Sequence, residues 1–311
     1  MDVVNVLSLA IRLTAPVLLI ALGGLFVMKV GVFNLALDGF ALIGCFAAVV
    51  GAYYTQNVYL GILIAAAASI ALNLIYSLFV FELKVDAVIC AIAFITIANG
   101  LTRYLLVPIF DASGRYILDN TLSLSTIHIG LLEHIPYLGR ILNDKSILVY
   151  FGLIAPFLIY ILLYKTRIGL DIRSVGSNEA VAQAAGIRVK GVRYFASALN
   201  GLFCGLAGAQ LALSLNMFNV GMTDGRGYTA LAVLIMTDCH PIWTLLACLM
   251  FGLSDALVLE FSGAGFNAQL LKMLPYVLAL VVAIVPLIIR KVSMQVNRAR
   301  SESKIMMQTG K

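Results

Sequence analysis

Charge is scarce in this chain: 12% of its 311 residues are Asp, Glu, Lys or Arg, against 62% hydrophobic. A soluble domain of that length needs far more polar surface to face water, which excludes a soluble enzyme or a soluble binding module. Metal spacing is also missing. Cys45, Cys90, Cys204, Cys239 and Cys248 are scattered, with no extracytoplasmic pair, and read as small core residues. His128 and His134 stand six apart in a loop, among Leu, Ile and Gly with Glu133 adjacent, but no helix or hairpin aligns them, and no metal site is expected. The apolar runs hold no His-Glu-x-x-His, no Ser/His/Asp set and no ligand cluster, so an intramembrane enzyme is the weakest functional class. The N-terminus has neither a basic leader region nor a small-residue cleavage site; the first apolar run is expected to be a retained span.

What the chain has instead is apolar length. Runs fall at 7–28, 40–52, 58–81, 85–108, 147–164, 195–215, 228–237, 241–261 and 271–289. Several reach the roughly 20 residues that cross a hydrocarbon core. The expected fold is all-α: a polytopic transmembrane helical bundle with broken helices, residues 1–311 forming a single transmembrane domain. Two runs, 40–52 and 228–237, are too short to span alone. Eight to ten crossings are expected, with the side of the N-terminus left open.

The formal net charge of +6 follows topology rather than nucleic-acid binding. Residues 165–194 carry six basic side chains (Lys165, Arg167, Arg173, Arg188, Lys190, Arg193) against two acids. The tail 290–311 carries six more against Glu302, whereas loop 109–146 has three bases and four acids. By the positive-inside rule the first two segments are cytoplasmic and 109–146 is outside, in a cell-membrane protein with a cytoplasmic C-terminus. Tyr53, Tyr54, Tyr59 and Tyr104 stand near span ends, as interfacial anchors do.

The short runs share a preface. Phe33-Asn34 leads to Asp38-Gly39 before one, and Phe218-Asn219 leads to Asp224-Gly225 before the other. Paired interruptions in two halves indicate an internal repeat around a midplane binding region; chance likeness of two Gly-containing turns is the competing explanation. Asp38 and Asp224 are expected to cap the helices that follow them, with Arg226 available to pair with either. Asp238 and His240, beside Pro241, mark a helix break.

Loop 165–194 contains a short helix with clear punctuation. Ser177 or Asn178 can cap it, Glu179 sits in its first turn and Gly186 follows its last helical residue. About seven helical residues are too few to be stable alone in water. Ala180, Val181, Ala184 and Ala185 give it a small, mildly apolar side suited to a groove on another surface, while Arg188, Lys190 and Arg193 are placed to meet anionic membrane lipids. A helix packed only on its own protein is the plainer alternative.

The run from Arg173 to Ile187 resembles the cytoplasmic coupling motif of ABC importer permeases of the branched-chain amino acid, ribose and nucleoside family. Residues 197–208, Gly31-Val-Phe-Asn-Leu35 and Asp38-Gly39 are similar to further signatures of that family. Residues 221–232 and Leu274-Pro-Tyr-Val-Leu278 look like its nucleoside and simple-sugar branch. Two departures stand out: Glu179 occupies a position where the family usually has Pro, and residues 236–241 replace a Gly-rich turn.

The resemblance implies a permease subunit that works with a cytoplasmic ABC ATPase, a second paralogous permease and an extracytoplasmic solute-binding lipoprotein. This chain has no Gly-x-x-x-x-Gly-Lys-Ser/Thr loop, so it binds no cofactor of its own, and ATP and Mg belong to the ATPase. Coupling is expected at Ser177, Asn178, Glu179, Ala180, Ala182, Ala185 and Gly186. The solute pathway is expected to use Phe33, Asn34, Thr96, Asn99, Asn216, Phe218 and Asn219, neutral polar or aromatic groups that suit a small polar solute. Interhelical hydrogen bonding is the alternative for Asn73, Asn99 and Asn200. Nucleosides come first as solute, simple sugars second and branched-chain amino acids third. An ion-coupled secondary transporter is the alternative class; against it, the spans lack a clear carboxylate relay.

Overall fold

The computed structural model of the chain describes residues 3–119, 122–128, 138–263 and 273. Run 271–289 apart from Met273, motif 274–278, His134 and tail 290–311 lie outside the described residues. The chain divides into two compact units, Met1–Leu257 and Val258–Lys311. In the second unit the described residues Val258–Gly263 finish a helix begun in the first, and Ser262 Oγ donates to the Val258 carbonyl one turn back.

The first unit is an all-α bundle. Its elements in order are α1 (Val3–Lys29), α2 (Leu37–Thr55), α3 (Val58–Phe81), α4 (Ala87–Phe110), β1 (Arg115–Ile117), β2 (Thr126–Ile127), α5 (Leu138–Leu142), β3 (Lys145–Ser146), α6 (Ile147–Lys165), α7 (Arg167–Ser177), α8 (Glu179–Ala184), α9 (Val189–Ser214), β4 (Met217–Asn219), α10 (Arg226–Met236) and α11 (Pro241–Gly263). Among the described residues seven helices are long and apolar enough to cross a membrane, and α10 is a shorter apolar helix.

Local chemistry sets many of the boundaries. Asn57 caps α3 by accepting from the amides of Tyr59 and Leu60, and Asp86 caps α4 through Val88 and Ile89. Gln56 and Asp111 end α2 and α4 in left-handed conformations that Asn, Asp and similar polar residues tolerate at helix ends. The break before α11 is built from two consecutive left-handed residues, Asp238 and Cys239, after which Pro241 opens the helix where its missing N–H costs nothing.

The run at 40–52 was expected to be too short to span. The structure extends it to the 19-residue α2, because Leu37, Asp38 and Gly39 are helical rather than part of the preceding turn and Tyr53, Tyr54 and Thr55 continue the helix at its other end. All five cysteines are free and buried.

Helix α9 lies at the centre, against α1, α2 and α3. Contact there is backbone-close. A Cβ on Gly205 would stand 2.7 Å from the Ala65 carbonyl oxygen, and one on Gly208 would overlap the Ala41 carbonyl oxygen. Small residues of this kind let membrane helices approach and gain dispersion energy that lipid cannot offer. Ser69 Oγ of α3 donates to the Phe40 carbonyl of α2 at 3.1 Å, a bond between helices, whereas the three asparagines weighed for that role make none among the described residues. Asn99 Nδ2 donates to Ile95 O and Asn200 accepts from Cys204, each within its own helix. The Asn73 side-chain amide has no hydrogen-bond partner among the described residues.

Side-chain contacts orient the bundle. Lys145, near the end of the 109–146 loop, donates to Ser8 near the start of α1, and Arg12 donates to Ser214 O at the end of α9 at 2.9 Å. At the other end of α1, Lys29 donates to Asp238 O at 3.0 Å, and Gly31 lies against Gly176 of α7. The N-terminal end of α1 therefore shares a side with loop 109–146, opposite to residues 165–194.

Candidate functional site

Residues 165–194 are more structured than a loop. Thr166 caps α7 at Gly169, and α7 buries Gly169, Ile172 and Val175 on one face. Ser177 is the last residue of α7 and does not cap α8; Asn178 does, its Oδ1 accepting from Val181 N at 3.2 Å. Helix α8 spans six residues, and its chain leaves through Ala185 and the left-handed Gly186 (φ +83°). Ala180, Val181, Ala184 and Ala185 are exposed, so the small apolar face is open. Ala182 is not part of that face: at 3% exposure it anchors α8 to its own protein. The alternation follows from helical spacing, since one residue of a single-turn helix must face inward when its neighbours face out. A groove of about 570 Å³ adjoins α8, lined by Ile168 and Ile172 of α7, Gly186 and Arg188 of the connection, and Val192 and Phe195 of α9.

Two of the basic residues expected near lipid head groups are engaged elsewhere. Arg193 makes a bidentate pair with Glu179, at 2.8 and 3.1 Å, and its guanidinium lies 5.8 Å from the Phe81 ring centre. Lys190 pairs with Glu82, at 2.7 and 3.0 Å.

The second element of the site is the pair of breaks. Asn34 Oδ1 accepts from Ala36 N at 2.8 Å, an Asx turn that carries the chain from α1 into α2. Asp38 does not cap its own helix. Its Oδ1 accepts from Gly227 N at 3.0 Å and its Oδ2 from Thr223 Oγ1 at 2.9 Å. Helix α10 has Gly225 at its N-cap and no side-chain cap of its own, so the first break supplies the cap for the second. Gly227 is required by this approach, because a Cβ there would overlap the Asp38 backbone. Arg226 turns to the carbonyls of Met222 and Thr223 instead of pairing with either aspartate. The two breaks thus meet, but their Asp-Gly pairs are not locally equivalent: Asp38 lies inside α2, while Asp224 lies in the turn before α10.

The seven pathway residues fall in three places. Phe33 is 42% exposed and Asn34 is buried, both at the α1–α2 break. Thr96 is exposed and Asn99 half-buried on α4, which packs over Gly39. Asn216, Phe218 and Asn219 lie towards the loop side, where β4 pairs antiparallel with β1, Tyr116 opposite Phe218 and Arg115 opposite Asn219. Phe218 is fully buried and meets the Phe46 ring edge-on at 5.2 Å. Phe46 is about 12 Å further along α2 than Asp38. Asn216 is left-handed (φ 50°), and its carbonyl accepts from Leu118 N. These three residues tie the loop to the chain entering α10, and the structure does not bring them together with Phe33 and Asn34. In the loop, His128 Nδ1 stands 3.0 Å from Asp144; no group of metal-ligating side chains occurs among the described residues.

Residues 6–288 match the family model described as branched-chain amino acid transport system / permease component. The chain is 32% identical over 269 residues to the guanosine ABC transporter permease protein NupQ of Bacillus subtilis, covering 83% of this chain and 84% of that one. It is 28% identical over 298 residues to the nucleoside ABC transporter permease protein NupC of Lactococcus lactis, covering 91% and 93%. A putative glucose ABC transporter permease protein of Haloferax volcanii is 30% identical over 261 residues, covering 82% and 77%. No solved structure matches the chain.

Proposed function

The chain belongs to the permease-component family of branched-chain amino acid transport systems, and we propose that this member is the membrane subunit of an ATP-driven importer for nucleosides. The relatives named for guanosine and nucleosides support that solute class, and the relative named for glucose supports simple sugars as the alternative. The observation that carries the mechanism is α8: a capped helix too short to stand alone, anchored by Ala182, with an open face of small residues. On this reading a cytoplasmic ATPase docks there and supplies ATP and Mg, a second paralogous permease completes the pathway, and an extracytoplasmic binding lipoprotein delivers solute.

Residues 165–194 and the tail then lie in the cytoplasm, and loop 109–146 and the start of α1 outside. Phe33, Asn34, Thr96 and Asn99 remain the proposed solute-facing residues, whereas Asn216, Phe218 and Asn219 hold the loop side together.

The test is uptake by the reconstituted complex. ATP-dependent accumulation of labelled guanosine, outcompeting glucose and leucine, is expected. Accumulation of leucine alone would overturn the solute class.

A further inference from the structure

We propose that the Glu179–Arg193 ion pair is the strut through which motion of α8 reaches the membrane-spanning α9, so that both are positioning residues of the transport cycle; this rests on the importer reading above. The six residues of α8 cannot hold a fixed direction by themselves. Among the described residues α8 is joined to the rest of the protein by the chain itself, through Asn178 and Ile187, by packing beside α7, and by the side chains of Ala182 and Glu179. Ala182 offers only apolar contact, which can slide. Glu179 offers a fork-to-fork pair, two parallel bonds of 2.8 and 3.1 Å that fix distance and angle together.

The far side of the pair is held as firmly. The Arg193 side chain is 23% exposed and its guanidinium stands by the Phe81 ring at the end of α3. Three residues earlier, the exposed Lys190 side chain pairs with Glu82 just beyond α3, a surface contact that adds little by itself. The first turns of α9 are therefore joined to α8 on one side and to α3 on the other. Beyond them α9 runs for 26 residues, with Gly201 and Gly205 in backbone contact with α3. A packed helix with such contacts moves as a unit rather than bending locally. Its far end leads directly into β4 and α10, the broken segment whose cap is Asp38. A displacement entering at Glu179 thus arrives at the break along one continuous helix. The competing route runs through the peptide at Asn178 into α7, and would need no ion pair.

The assembled importer in proteoliposomes separates the routes, with solute taken up per ATP hydrolysed as the readout. Glu179→Gln removes the charge, and Glu179→Pro removes it while keeping α8, since proline is accepted at the first helical position. Both are expected to lower uptake per ATP about fivefold or more, with the ATPase still co-purifying. The double variant Glu179→Arg with Arg193→Glu is expected to restore most of the loss, which a merely destabilising change would not. Unchanged uptake per ATP in both single variants, or no restoration by the swap, would overturn the strut. Loss of the ATPase from the single variants would make Glu179 a docking contact and overturn it too. Failure of the unaltered chain to bind an ATPase would instead overturn the importer reading.

Discussion

Asp38 Oδ1 accepts a hydrogen bond from the Gly227 amide at 3.0 Å, although the two residues stand 189 positions apart. One carboxyl group in α2 thereby provides the cap that α10 lacks, and its two buried oxygens are satisfied by an amide and a hydroxyl at the N-terminal end of that helix.

Removing that carboxylate leaves the Gly227 amide without a partner in an apolar setting. Asp38→Ala is expected to cost about 1–3 kcal/mol, read as a lower unfolding temperature in detergent and a loss of uptake. Asp38→Asn keeps an acceptor for Gly227 and should lose less than half as much. Equal stability of all three proteins would show that the contact does not hold α10.

The exposed face of α8 gives a different outcome. Ala184→Arg places a long charged side chain where a partner surface is expected to close. ATPase recovery with the tagged chain should fall at least about tenfold, with membrane insertion unchanged. Ala182→Arg would instead force a charge into the buried side and loosen α8 from its own protein. Normal ATPase recovery with Ala184→Arg would remove the face from the docking surface.

Glycines in the spans divide sharply by surroundings. Gly208→Ala meets the Ala41 carbonyl oxygen and is expected to destabilise by about 1–3 kcal/mol. At Gly100 nothing among the described residues lies within 4 Å of a new Cβ, so Gly100→Ala should gain about 0.5–1 kcal/mol from helix propensity. Unfolding temperatures of the two variants check both signs.

Phe218 and Asn99 separate packing from transport. Phe218→Ala empties a fully buried ring site and should cost about 3–5 kcal/mol. Asn99→Ala loses only a bond within its own helix; it should leave stability nearly unchanged and raise the KM for uptake. An unchanged KM would remove Asn99 from the pathway.

What the sequence revealed follows from how local each cause is. Helix α3 was legible end to end because an apolar run lies between Asn57, which caps it, and the polar residues after Phe81. The start of α8 was legible because its cap and its terminating glycine are neighbours in sequence. The start of α2 was not, because the partners of Asp38 lie beyond residue 220 and a local cap was the natural expectation. Strands β1 and β4 are three residues each, too short for any periodicity, and their pairing joins a loop to a break about a hundred residues away. The sequence places Phe218 in the solute pathway because an aromatic beside an asparagine carries no sign of which way it faces. The Glu179–Arg193 pair spans two helices and a turn, a separation that matches no spacing rule, so the sequence places Arg193 at lipid although its partner lies in the same loop.

The measurement that bears most directly on the account is gentle purification of the tagged chain from its native membrane, with mass spectrometry of what comes with it. An ABC ATPase and a second permease are predicted to co-purify. Recovery of the chain alone or only as a homo-oligomer, under conditions where known complexes survive, would contradict the account.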